Sequence, residues 1–325
     1  MVRPALVAVA LSASGQLLPA RFQNPLWVAG TSTVLGSGKP VVAPLGDRAI
    51  VAFRTAAGAL RFASMDGALT LVVGDIATVA NSGPFLAPSP GGVRVGFTDG
   101  ADTLATALLA AGSSAFGPVS ALTTDPSPPK SLASPAVAST GSTEASVHAG
   151  TNEGVYFAPV GGVSEPVFGA GGKPAIGPTL VFDAAGRPVV FFVRNTDSQV
   201  FVTVRKDAVW TTPVAVATDA FTDRSPSATV LGSGALVVVW HGAGNQGIYL
   251  AQSAASDSGW GTGRTVEDAL EIASSPVVVA NGPTAEILFV RGGVAKHGRL
   301  TGSNLTVSAA FGTGLSEVGA ASLAP

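Results

Sequence analysis

Short apolar runs rich in Val, Ala, Phe and Thr alternate along the chain with breaks that carry glycine or proline. Helical periodicity is confined to Asp268–Ile272, and strands bounded this often by turn residues predict an all-β protein. The runs also repeat. A strand opening on proline recurs at Pro40 (GKPVVAP), Pro84 (SGPFLAP), Pro135 (ASPAVAS), Pro178 (IGPTLVF), Pro226 (RSPSATV) and Pro276 (SSPVVVA), at intervals of 44, 51, 43, 48 and 50 residues. A second run follows in each unit: Ala49–Phe53, Val93–Phe97, Glu144–His148, Val189–Val193, Leu236–Trp240 and Glu286–Val290. A third comes after a turn, as in Leu60–Ser64 and Val200–Val204, and a fourth often opens on an aromatic, as at Phe116, Trp210 and Trp260. Four strands at this period make one propeller blade.

Six units are complete, at about residues 38–80, 81–124, 131–170, 173–219, 223–268 and 273–313. The ends supply a seventh. The tail 316–325 reads as an opening strand, and residues 1–34 supply the other three, at Ala5–Leu11, Gln16–Phe22 and Pro25–Val28. The expectation is therefore a single-domain, seven-bladed β-propeller, with about 46 residues per blade, closed by pairing of the N- and C-terminal strands. On this reading MVRPALVAVALSAS is a blade strand rather than a leader peptide.

Composition narrows the function. Eighteen basic residues against 20 acidic ones leave a net charge of −2, which argues against a nucleic-acid surface. Charged residues are 12% of the chain, about half the usual share. Mean hydropathy is +0.44, yet no apolar run approaches the ~18–20 residues of a spanning helix. Without cysteine there is no disulfide, thiolate nucleophile or thiolate metal site. No His, Asp or Glu pair shows metal-ligand spacing, and Gly169–Lys173 lacks the Ser/Thr and helix of a phosphate loop. No cofactor is expected; a loop calcium ion stays open.

Arginines end three second strands: Arg54 after AIVAF, Arg194 after VVFFV and Arg291 after EILFV. His241 ends the corresponding strand of another unit, preceded by Trp240, which is expected to be an exposed aromatic. In a propeller these ends share one axial face, so Arg54, Arg194, His241, Trp240 and Arg291 form a candidate ligand site. Its guanidinium groups would suit a carboxylate, sulfate or phosphate. The alternative is that each Arg pairs with a neighbouring acid and seals a seam. Trp27, Trp210 and Trp260 share one repeated position and are expected to fill the space between blades. No catalytic set emerges: Tyr156 and Tyr249 sit in third strands, and His148, His241 and His297 lack a nucleophile signature.

Residues 178–214 resemble a blade of the bacterial seven-bladed fucose-binding lectins, through Asp183, Gly186, Arg187, the strand Val189–Val193, the polar turn Asn195–Ser198 and Trp210. A weaker resemblance is to sialidase-type propellers, whose Asp-box is approached by Ser256-Asp257-Ser258-Gly259-Trp260 and by Ser64-Met65-Asp66-Gly67. A ring of similar blades without a catalytic set, together with the lectin resemblance, leads us to expect a non-catalytic, lectin-like protein that binds a carbohydrate, an acidic glycan or a protein partner, in an extracellular or surface setting. Two alternatives remain. One is a sialidase-like glycosidase; the other is an assembly module of a virion, an injection apparatus or a surface complex.

Overall fold

Seven antiparallel sheets, each a meander of successive strands, account for almost all the regular structure in a computed structural model. It describes residues 5–23, 25–125, 130–168, 171–244, 247–254, 259–268 and 274–323. Most of the stretches 256–260 and 268–272 singled out above lies outside them. No described residue is helical.

Blade one comprises Ser37–Leu45, Arg48–Arg54, Leu60–Met65 and Leu71–Ala77, and blade two Phe85–Ser89, Gly92–Thr98, Leu104–Ala110 and Ser120–Ala121. Blade three runs through Ala136–Thr140, Thr143–Ala149, Val155–Pro159 and Glu165–Phe168. In blade four, Thr179–Phe182, Pro188–Val193 and Val200–Lys206 are followed by an outer edge split into Val209–Trp210 and Val214–Ala215. The split falls at Pro213, which has no N–H to donate to the ladder. Blade five has Ser227–Val230, Leu236–His241, Ile248–Ser253 and Arg264–Glu267, and blade six Val277–Asn281, Thr284–Arg291, Val294–Thr301 and Asn304–Ala309.

The seventh blade joins the two ends of the chain. Its inner strand is Leu315–Leu323, and Ala5–Ser12, Leu17–Gln23 and Leu26–Ala29 follow outward. Ala5 pairs with Leu323 and Leu11 with Glu317, with a bulge before Ser12. Closure of this kind removes the exposed sheet edge that would otherwise invite aggregation.

Second strands are apolar without alternation because a neighbouring blade covers each of their faces. In blade one, Ile50 and Ala52 pack towards blade two, while Val51 and Phe53 pack towards blade seven. The core is thus seven separate layers, one per seam. The layer between blades two and three is the thinnest, built on Ala87, Leu104, Leu122 and Val137. There Arg94 crosses to Glu144 with two bonds of 2.9 Å, both side chains largely buried.

The lectin-like turn of blade four has a structural role. Asp183 accepts from the N–H groups of Ala185 and Arg187 and from the Arg187 guanidinium, while Gly186 takes φ +73°. Asp66 caps the turn before the outer strand of blade one in the same way, through Ala68 and Thr70.

Candidate functional site

The second strands deliver Arg54, Arg194, His241 and Arg291 to their ends, as the register of the repeat requires. Their partners then differ. Arg194 is clasped by Asp197 three residues on and lies over the Phe201 ring at 4.3 Å. The Asp197 hydrogen bond raises its pKa, and Arg194 in turn draws the Asp197 pKa down. Arg291 reaches across a seam to Glu267 of blade five at 2.5 Å. Among the described residues Arg54 has no acid partner, and its Nε is sealed from solvent without a hydrogen bond. Two of the three guanidinium groups are thereby engaged by separate acids.

His241 is buried, with Nδ1 3.0 Å from Asp223 and Nε2 unpartnered. Burial lowers its pKa, with Asp223 opposing and Arg224 adding to the shift. Trp240 corrects the expectation of an exposed aromatic: it is 0% exposed. The indole lies in the layer between blades four and five, stacked on Tyr249 at 6.0 Å. Tyr156 likewise stacks on a neighbour, His148, at 5.3 Å. Among the described residues no group of three His, Asp or Glu could hold a metal ion.

The seams hold a more developed arrangement. The aromatic that opens an outer strand leans on the preceding blade four times over. Phe116 meets Phe62 at 5.1 Å, Trp210 meets Phe157 at 5.4 Å, Trp260 meets Phe191 at 5.6 Å and Trp27 meets Phe311 at 5.2 Å. At the seam of blades three and four, Trp210 Nε1 donates to Glu165 Oε1 at 2.9 Å, and Arg205 Nη2 donates to Glu165 Oε2 at 3.0 Å. Glu165 and Arg205 keep 36% and 29% of their side-chain surface in solvent. A carboxylate, a guanidinium and an indole edge therefore lie together on a half-open seam.

The seam of blades six and seven carries a buried counterpart. Trp27 Nε1 donates to His297 Nδ1 at 3.3 Å, so Nε2 bears the proton it shares with Glu286 at 2.7 Å. Arg299 closes on Glu286 at 3.0 Å and lies over Phe22 at 5.1 Å. Burial alone would raise the Glu286 pKa; the hydrogen bonds from His297 and Arg299 outweigh it and hold the carboxyl below its usual range. Glu165, Arg205, Glu286 and Arg299 were not singled out from the sequence. The repeated Trp position was the available signal, and the acid that Trp210 uses lies 45 residues away on another blade.

No protein-family model matches the chain, and no curated protein does. Solved structures do share the fold. The crystal structure of AofleA from Arthrobotrys oligospora is similar with a TM-score of 0.58 at 12% identity, over 88% of this chain and 89% of that one. An Aleuria aurantia lectin variant in complex with Fucalpha1-6GlcNAc gives 0.56 at 15% identity, over 85% and 96%. SapL1 lectin in complex with alpha methyl fucoside gives 0.54 at 12% identity, over 84% and 95%. At these identities the likeness concerns the propeller fold alone.

Proposed function

We propose that this protein is a non-catalytic, lectin-like propeller that binds carbohydrate at its blade seams, first of all between blades three and four. The observation that carries the reading is the half-open group of Glu165, Arg205 and Trp210. A carboxylate beside a guanidinium offers an acceptor and donors to vicinal hydroxyls, and an indole face is the part of Trp210 that would take the C–H groups of a sugar ring. The charges of Glu165 and Arg205 balance each other, which favours a neutral sugar over an acidic glycan. On the axial face, Arg54 of blade one is the arginine left for an auxiliary contact. A propeller fold alone does not choose between binding and catalysis. The packing of Tyr156 into its sheet favours binding over a sialidase-like mechanism.

The test is a glycan array followed by calorimetry with methyl α-L-fucoside and neutral and sialylated oligosaccharides. Arg205→Met should weaken neutral-sugar binding about tenfold or more, the size expected for one charge-assisted hydrogen bond. Silence across array and calorimetry would remove the proposal. Hydrolysis of a fluorogenic sialoside would replace it with the glycosidase.

A further inference from the structure

Lys39 breaks the repeat. The residue before the proline that opens each inner strand is Gly83, Ser134, Gly177, Ser225 or Ser275 in five blades, and Lys39 in blade one. This position rings the mouth of a channel along the propeller axis. Two cavities of about 400 and 360 Å³ lie along that channel and share walls of Val42, Phe85, Leu86, Leu180, Ala228 and Val278. Among the described residues lining either one, Lys39 is the one charged side chain.

The Lys39 ammonium is incompletely satisfied. Its Nζ donates to the carbonyls of Ser275 and Pro276 at 3.3 and 3.2 Å, long contacts that leave the third N–H for the cavity. Burial lowers the Lys39 pKa, Glu317 opposes that shift and Arg224 adds to it. Glu317 does not line the cavity, and its Oε2 is sealed without a partner.

These surroundings select a ligand class. A cation would be repelled by Lys39 and Arg224. A neutral apolar molecule would leave the ammonium unmet, which is costly in a low-dielectric site. A polyanion would find no second cation in the wall. An acid with one carboxylate and a hydrocarbon tail satisfies both the ammonium and the apolar channel. The five-residue inner strand Phe85–Ser89 spans about 17 Å at ~3.4 Å per residue, enough for a medium-length tail. We infer that the axial channel binds an aliphatic monocarboxylate, with the carboxylate on Lys39 and the tail along the inner strands. This site is separate from the seams and does not depend on sugar binding there.

Calorimetric titration of the full chain with decanoate tests the inference, with decanol as the control that lacks the carboxylate. Decanoate should bind saturably at one site, and decanol should bind about tenfold or more weakly, as expected for loss of a charge-assisted hydrogen bond. Lys39→Met should bring decanoate down to the decanol level. Gly83→Leu offers a second variant, because a Cβ there meets Ser134 Oγ at an ordinary 3.7 Å and the side chain narrows the mouth while Lys39 is retained. It should weaken binding of both probes. Equal affinity for decanoate and decanol, or unchanged decanoate binding by folded Lys39→Met, would overturn the site. Tighter binding of an apolar tripeptide with a free C-terminus than of decanoate would overturn the aliphatic assignment.

Discussion

His148 is fully buried, with both ring nitrogens unpartnered, and burial drives its pKa down to about 4 against the opposing pull of Asp125. The folded protein therefore keeps this ring neutral where the unfolded chain protonates it. The stabilising contribution is complete above pH 6.5 and is lost as the pH falls towards 4, because the unfolded state then binds the extra proton. The full shift corresponds to about 3 kcal/mol. His148→Phe preserves a flat ring against Tyr156 and cannot titrate. Urea midpoints of the variant should be flatter than wild type between pH 6.5 and 4; parallel curves would mean that His148 does not govern this range. The tryptophans make a second comparison. Trp240, sealed in its layer, should cost about 5 kcal/mol as Trp240→Ala, and half-open Trp210 about 3 kcal/mol as Trp210→Ala, the span seen for such truncations. Equal denaturant midpoints for the two would show that the outer aromatic is as firmly held as the core one.

Among elements, the inner strands face the tightest geometry, since seven of them converge on one axis. At Gly319 a Cβ would stand 2.3 Å from the Pro40 carbonyl oxygen of blade one. Backbone cannot yield as a side chain does, so Gly319→Ala should destabilise by about 3 kcal/mol, at the upper end for overpacking. A melting curve unchanged by this substitution would place the blade-seven strand further from blade one. The strands themselves were legible in the sequence, because Pro40, Pro84 and their counterparts mark each inner strand and apolar runs mark each second one. The site was less legible. Trp240 follows Leu236–Val239 at a strand end, where a chain leaving its sheet could expose it; only the neighbouring blade decides that it is buried. Glu165, Arg205 and Trp210 meet across a seam, and blade packing rather than local spacing sets that meeting. Lys39 did leave a trace, as the lysine among glycines and serines at one repeated position, but its meaning depends on the channel.

At the scale of the whole molecule, the ring is held shut by a single pair of strands. The tail strand buries Val318, Ala320, Ala321 and Leu323 against its neighbours. Burial of Val318 and Leu323 alone contributes about 3–6 kcal/mol, at ~1.5–3 kcal/mol each. Deleting Ser316–Pro325 should lower Tm by roughly 10 °C or more, at ~2–4 °C per kcal/mol. It should also leave the strand Ala5–Ser12 with an unpaired edge that drives association. A truncated chain that melts within about a degree or two of the intact one would contradict closure by the termini.

The same strand pair sets the response to mechanical force. Ala5 lies opposite Leu323, so the two strands leave the pair side by side at one end. Tension applied through the ends loads the rungs of the ladder one after another, beginning at Ala5 and Leu323, rather than all together in shear. The ring therefore peels like a zip under a pull on its termini, although heat must disrupt the seven layers of its core. A protein tethered by its two ends would open at blade seven first, while attachment through any other blade would leave that fastening unloaded.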